Sequence, residues 1–276
     1  MKIVKNNGEK ESFDPDKLKG SLERAGATVF VANDITSKIQ KDIKDGSTTT
    51  DIYKEAFELL KKTEKKSALR YSIRRSVLDL GPSGFPFEKF IAEIFSAKGF
   101  TTEVGVTLKG HCADHEVDII AYNEKELIIT EAKFHNKSGI KTDTKTALYI
   151  KARFDDLQSE EFHLGGKKRK MTQGLMVTNT KFTHTARKYV NCVGTYDLIS
   201  WDYPKKGNLY DLMEETTLHP LTCVAQLSKS NKNELLDRGI VNCRSLRDER
   251  EVMKEIGLSD EKIDEIIENI DIICSH

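Results

Sequence analysis

Asp118, followed by Glu131-Ala132-Lys133 at the end of an apolar run, is the pattern that most limits what this 276-residue chain can become. Glu116-Val117-Asp118-Ile119-Ile120-Ala121 reads as a short strand, Asn123 to Lys125 as a tight turn, and Leu127-Ile128-Ile129-Thr130-Glu131 as the returning strand of a hairpin. Asp118 is thereby brought to the Glu131 end of its partner. Glu131 and Lys133, two residues apart, share one strand face, while Ala132 turns away and offers only its carbonyl oxygen. Such hard oxygen donors suit Mg²⁺ or Mn²⁺. The pattern therefore predicts a metal-dependent nuclease centre. Asp118, Glu131 and Ala132 hold the metal, and Lys133 orients water or stabilises the charge that builds up on the phosphate.

Charged residues at a strand end also form ordinary solvated rims, so spacing alone leaves both readings open. The segment upstream favours the site. Phe87, Phe90, Ile91, Ile94 and Phe95 recur at helical spacing, which buries one stripe, sets Glu88 near the helix start and stops at Gly99. A third carboxylate is thus at hand. Helix with an early Glu, glycine stop, strand, Asp118, strand and Glu131-x-Lys133, over roughly Phe85 to Tyr203, resembles the PD-(D/E)xK nuclease fold. The Mrr-like restriction endonuclease and archaeal Holliday-junction resolvase branches are the nearest in pattern. The resemblance implies DNA as substrate, Asp118 and Glu131 as metal ligands, Lys133 as the catalytic lysine and Glu88 as the helix-borne carboxylate.

Two departures are visible. Gly110-His111-Cys112-Ala113-Asp114-His115-Glu116 replaces a glycine-rich approach to the Asp, and Phe134-His135-Asn136 follows the ExK. Asp114 and Glu116 remain competing acids, Glu116 the better one because on a regular strand it shares a face with Asp118. His111, Cys112 and His115 raise zinc as an alternative, although they lack a fourth ligand at finger-like spacing.

The first eighty or so residues read as a separate unit. Lys2 to Lys5 and Lys10 to Phe13 fit a hairpin around Asn7-Gly8, and Asp14-Pro15 starts a helix running to Gly26. Further helical patterns cover Ala32 to Asp45, Thr50 to Lys62 and Lys66 to Leu80, before a hinge at Gly81-Pro82-Ser83-Gly84. Ile3-Val4-Lys5-Asn6-Asn7-Gly8, Phe13-Asp14-x-x-Lys17-Leu18, Gly46-x-x-Thr49-x-Asp51-Ile52-Tyr53 and Ala68-x-Arg70-Tyr71-Ser72-Ile73-Arg74-Arg75 resemble the ATP-cone, in that order. The resemblance implies a regulatory domain that binds ATP or dATP without hydrolysing it, through Ile3, Lys5, Glu11, Lys17 and Thr49, and that changes activity or oligomeric state. Asn6 stands where that family usually has Lys or Arg, which removes one expected phosphate contact.

Lys plus Arg and Asp plus Glu both total 44, so a nucleic-acid surface has to come from local asymmetry. No apolar stretch reaches membrane length and no signal-peptide core follows Met1, so a soluble, cytoplasmic protein is expected. Cys112, Cys192, Cys223, Cys243 and Cys274 form no CxxC pair and read as reduced thiols. Beyond the nuclease motif, Gly165-Gly166 and Lys167-Lys168-Arg169-Lys170 read as a glycine-hinged basic loop suited to phosphate. Thr146 to Phe154 reads as a helix with Leu148 and Ala152 on its buried stripe. Tyr149 and Arg153 share another face open to substrate, with core packing the preferred reading for Tyr149. Gly174 to Asn179 and Tyr196 to Trp201 are expected as strands around a helix from Thr183 to Val190. From Leu221 onward two helix-glycine-helix junctions, at Gly239 and Gly257, resemble helix-hairpin-helix modules, with dimerisation or packing on the nuclease as the other readings.

The expected class is α/β. Residues 1–82 form a mostly helical ATP-cone with a small hairpin, 83–216 a restriction endonuclease-like α/β/α domain and 217–276 a small helical domain. Two functions stay open: a nucleotide-regulated, Mg-dependent DNA endonuclease of defence or repair, working as a homo-oligomer, and a noncatalytic nucleotide sensor that binds DNA or a partner through an inactive nuclease fold.

Overall fold

A computed structural model describes residues 1–5, 8–137 and 139–274. Asn6, and Asn7 of the expected Asn7-Gly8 turn, lie outside the described residues. Lys2–Val4 (β1) and Lys10–Ser12 (β2) pair antiparallel, with Ile3 opposite Glu11. Pro15–Arg24 (α1) begins there because the Asp14 side chain accepts from the Asp16 and Lys17 amides, and Pro15 has no N–H to leave orphaned. Val29–Asp42 (α2) starts at Thr28, and Thr49–Thr63 (α3) at Thr48, which closes a capping box with Asp51. Lys65–Leu78 (α4) completes this bundle around Leu22, Ile35, Ile39 and Leu60, with Tyr53 stacked on Tyr71 at 5.2 Å. α4 is shared between two cores. Ala68 and Tyr71 belong to this one, whereas Ile73 and Val77, with Leu80 just beyond, enter the next.

Phe85–Ala97 (α5) leads into an antiparallel meander of Thr101–Lys109 (β3), Asp114–Tyr122 (β4) and Leu127–Lys133 (β5). The β4–β5 turn is closed by Asn123 Oδ1, which accepts from the amides of Lys125 (2.9 Å) and Glu126 (3.0 Å). Next come Lys141–Thr142 (β6), Thr144–Gln158 (α6), Glu161–Leu164 (β7), Lys167–Lys170 (β8), Gln173–Thr178 (β9), Lys181–Phe182 (β10), His184–Val193 (α7) and Asp197–Ile199 (β11). The central sheet runs β11-β9-β5-β4-β3, with β9 parallel to β5 and β11 parallel to β9. Its α6–α7 face buries Ile120, Ile129 and Met176 against Ile150, Phe154 and Val190. On the opposite face Ile119, Ile128 and Leu175 meet Phe87, Phe90 and Ile94 of α5. The result is the expected α/β/α layering.

Gly174 of β9 lies under Phe154 of α6. A Cβ there would lie 2.8 Å from Phe154 Cδ2 and 2.9 Å from Tyr196 Cβ, both in the packed core. Gly174→Ala therefore overpacks the layer and is expected to cost about 1–3 kcal/mol, read as a lower urea midpoint at unchanged m-value.

Leu209–Thr216 (α8), Lys229–Asp237 (α9), Cys243–Asp248 (α10), Arg250–Glu255 (α11) and Asp260–Cys274 (α12) finish the chain. Gly239 (φ 80°) and Gly257 (φ 84°) occupy the expected junctions, in the left-handed region that ends helices. This C-terminal part packs on α4 and α5. Leu235, Leu246, Ile263 and Ile270 continue the α5 core, Thr222 Oγ1 donates to Ser76 O at 2.6 Å, and Asn242 donates to Glu93. Among the described residues no helix is long and apolar enough to cross a membrane.

Candidate active site

Glu88 lies in the first turn of α5, where the helix dipole favours a carboxylate, and Pro86 fixes the helix start. Asp118 lies mid-β4, and Glu131, Ala132 and Lys133 form the last three residues of β5. The two strands are tied at the site itself: the Ala132 amide donates to Asp118 Oδ2 at 2.7 Å. Glu131 is buried, Asp118 half-buried and Lys133 exposed.

β4 breaks its pleat at Asp118. Val104 pairs with Ile119 and Val106 with Val117, but Gly105 between them is left-handed at φ 65°, a conformation that glycine adopts without a Cβ penalty. In consequence Val117 enters the α6-side core and Ile119 the α5-side core, although alternation would put both on one side. The regular-strand argument that paired Glu116 with Asp118 therefore does not carry through the break. Glu116 is exposed, and its carbonyl accepts from Arg153 Nη1 at 3.0 Å.

The acids perturb one another. Burial and then the charges of Asp118 and Glu116 push the Glu88 carboxyl up to about 7. Burial and then Asp118 push Glu131 up to about 7 as well, against the pull of Arg153 and Lys133. Asp118 is raised mainly by burial, with the Ala132 amide, Arg153 and Lys133 opposing. Asp118 thus adds to burial in raising both Glu88 and Glu131, an arrangement that an added cation would relieve.

Arg153 of α6 supplies such a charge. Its guanidinium donates to Glu131, with side chains only 16% and 10% exposed, and also to Tyr149 Oη at 3.1 Å. The Glu131 contact was not legible beforehand, because nothing in spacing links a mid-helix Arg to a strand carboxylate 22 residues earlier. The helical register of α6 is also corrected. Ala147, Ile150, Phe154 and Leu157 form the buried stripe, Leu148 is 50% exposed, and Tyr149, at 61%, is no core residue. The stripe begins one residue earlier than expected.

Other expected features fall elsewhere. The basic run is β8, a strand, because Gly165 (φ 58°) and Gly166 (φ 74°) make the two-residue turn of a β7–β8 hairpin. It sits at the Tyr122 end of β4, with Arg169 4.8 Å over the Tyr122 ring and Lys167 2.7 Å from Glu124, remote from Lys133. His115 Nε2 lies 2.7 Å from Asp156 Oδ2, which also accepts from the Ala113 amide, while Oδ1 takes the Cys112 amide. His111 is 3.5 Å from Glu160. That cluster shapes a loop around Asp156 instead of presenting zinc ligands. All five cysteines are free.

Of the residues expected at the nucleotide, Ile3, Glu11, Lys17 and Thr49 line one cleft, between the bundle and the 181–211 region of the next domain. Lys5 is outside that lining, 2.9 Å from Glu11 and 3.4 Å from Glu9.

Comparison with known proteins agrees with the layout. Residues 1–77 match the ATP cone domain, 82–203 the restriction endonuclease family and 219–274 an AF1548-like C-terminal domain. An uncharacterized protein of Archaeoglobus fulgidus is 36% identical over 178 residues, which is 64% of this chain and 95% of that protein. The crystal structure of AF1548, a protein of unknown function, aligns with a TM-score of 0.55 and 34% identity over 70% of this chain and 98% of that one. MspJI restriction endonuclease, solved with a 27-mer oligonucleotide, aligns with a TM-score of 0.35 and 15% identity over 55% of this chain and 32% of its own. The chain belongs to the AF1548-like family, a restriction endonuclease-like domain with an AF1548-like C-terminal domain, here fused to an ATP cone.

Proposed function

We propose that the protein is a nucleotide-regulated, metal-dependent DNA endonuclease with Glu88, Asp118, Glu131 and Lys133 as its catalytic residues. The observation that carries this reading is the convergence of three partly or fully buried carboxylates from α5, β4 and β5, in which the Asp118 charge adds to burial in pushing up Glu88 and Glu131, beside an exposed lysine. Asp118, Glu131 and the Ala132 carbonyl are the hard donors for Mg²⁺ or Mn²⁺, and Glu88 supports the metal or its water. When bound, the metal acidifies water and screens the scissile phosphate. Lys133 stabilises the growing phosphate charge from the end of β5. Lys133, Lys137, Lys141 and Lys145, all exposed on the segment leaving the site, provide the local basic surface that the neutral chain needs for DNA.

Among the described residues no three such side chains already sit together at ligand distance. Arg153 neutralises Glu131 meanwhile and has to release it. Arg153→Ala is expected to lower the melting temperature without metal, since breaking a buried pair costs about 3–5 kcal/mol, and to let Mn²⁺ restore more of it than in the parent. An equal Mn²⁺-induced shift in both proteins, measured by scanning fluorimetry, argues against that displacement. Glu116→Ala, at an exposed acid beside the site, is expected to give only a partial loss of cleavage.

The Arg153–Glu131 pair is also the one observation on the side of a noncatalytic regulator. Incubation of the protein with plasmid, linear, branched and modified DNAs, in Mg²⁺ or Mn²⁺ with and without ATP and dATP, separates the two. Cleavage that EDTA abolishes supports the enzyme. Intact DNA under every condition, despite nucleotide binding, supports the regulator.

A further inference from the structure

A cleft of about 670 Å³ separates the ATP cone from the nuclease domain, within the size range of small-ligand sites. Its cone wall is mixed: an apolar patch of Ile3, Phe13, Leu18, Ile52 and Tyr71 lies among the charged Glu11, Asp14, Lys17, Arg24, Arg70 and Arg74. The facing wall comes from the other domain: Lys181, Trp201, Asp202, Lys205 and Tyr210. The walls also touch directly. Arg74 lies 5.8 Å over the Trp201 ring, and Tyr210, packed on Trp201 at 5.6 Å within its own wall, donates from Oη to Arg24 O at 2.6 Å.

Charge in the cleft is uneven. Lys17 lies 3.7 Å from Glu11 and 3.8 Å from Asp14, and Lys181 2.5 Å from Asp202. Among the described residues no carboxylate lies within ion-pair distance of Arg24, Arg74 or Lys205, all of which line the cleft. Cations without an ion-pair partner beside an apolar patch suit a ligand with a flat apolar end and a polyanionic tail.

The nuclease wall is bonded to the active site. The Trp201 amide donates to Thr180 O at 3.3 Å. Two residues earlier, Thr178 Oγ1 donates to Lys133 O at 2.7 Å. Asn179 brackets His135, accepting from its amide at 2.9 Å and donating to its carbonyl at 2.8 Å. Segment 178–181 therefore holds the chain leaving the catalytic lysine at one end and places Lys181 in the cleft at the other.

We propose that the nucleotide of the ATP cone is shared with the nuclease domain: its base rests on the apolar patch of the cone wall and its polyphosphate is gripped by Lys205 and Lys181 across the cleft. This rests on the cone binding nucleotide, and adds residues that the cone does not contain. Phosphate competes with Asp202 for Lys181, so occupancy is felt at segment 178–181 without a long relay. A ligand that contacts both walls stabilises the arrangement in which both are present.

Trp201 is the only tryptophan of the sequence, which makes the cleft its own reporter. ATP titrated into the full-length protein should change Trp201 emission with the midpoint found by calorimetry. Lys205→Ala and Lys181→Ala should each weaken ATP about tenfold, the loss of one charge-assisted hydrogen bond. Lys205→Arg should keep most of the affinity, and Lys206→Ala, outside the cleft, should keep all of it. Adenosine should bind parent and Lys205→Ala alike, since it lacks the phosphates. Unchanged ATP affinity in both lysine variants overturns the proposal and leaves the cone as the whole site. No calorimetric ATP binding by the parent overturns the cone reading itself, and this inference with it.

Discussion

Asp118→Ala is expected to abolish metal-dependent cleavage, with Glu131→Ala close behind. Each removes a proposed oxygen ligand, and several kcal/mol of lost transition-state stabilisation corresponds to about 10³-fold or more in rate. Asp118 has a second role. Its Oδ2 holds the Ala132 amide at 2.7 Å, so Ala at 118 also leaves that N–H unpaired. Asp118→Asn retains an acceptor there and separates the two effects: folding is kept and cleavage is still lost. Lys133→Ala is expected to lose about 10²–10³ in rate, as when one charge-stabilising donor is removed, while binding metal as the parent does. Single-turnover cleavage with calorimetric Mn²⁺ titration distinguishes these losses, and a Lys133→Ala protein that fails to bind Mn²⁺ contradicts the role given to the lysine.

The second large effect concerns nucleotide. Lys5→Ala with Lys17→Ala is expected to remove ATP and dATP binding while leaving basal, unregulated cleavage. Both ammonium groups converge on Glu11, at 2.9 Å and 3.7 Å, so the pair forms one basic cluster and single substitutions leave half of it. In the parent, nucleotide is expected to shift cleavage rate or oligomeric mass, with a coupling of about 1–3 kcal/mol between the sites. The hinge offers a second contact between the domains. A Cβ at Gly81 would lie 2.6 Å from the Phe134 ring, and one at Gly84 3.0 Å from Glu88 Oε1, so the linker lies against Glu88 and the neighbour of Lys133, two of the proposed catalytic residues. Light scattering and cleavage rates that are identical with and without nucleotide contradict the regulatory role.

Local rules carried much of this architecture. Asp14-Pro15 and Thr48 with Asp51 start helices through side-chain caps, and Asn123 closes the β4–β5 hairpin through its own side chain. The parallel β9 and β11 were visible as apolar runs around an amphipathic helix. What stayed hidden depends on contacts between distant residues. The pleat break at Asp118 arises from Gly105 on the neighbouring strand, and a lone glycine in a strand does not announce which partner it bends. Arg153 meets Glu131 only after α6 is laid over the sheet. β6 and β10, of two residues each, are too short to show a period. The composition of the basic run fits plain solvation as well as a phosphate clamp, and it does not say at which end of a sheet a hairpin docks. The C-terminal helices showed their glycine stops but not their partner, because an amphipathic stripe identifies a buried face and not what covers it.

The most direct test of the account sets the parent protein beside Asp118→Asn on supercoiled plasmid in Mn²⁺, with melting curves of both to show that each is folded. The parent is expected to nick and linearise the DNA, EDTA to stop it, and the Asn variant to leave the plasmid intact. Equal cleavage by the two proteins, or no cleavage by the parent on any DNA of the panel, contradicts the assignment of Asp118, Glu131 and Lys133 as a nuclease centre.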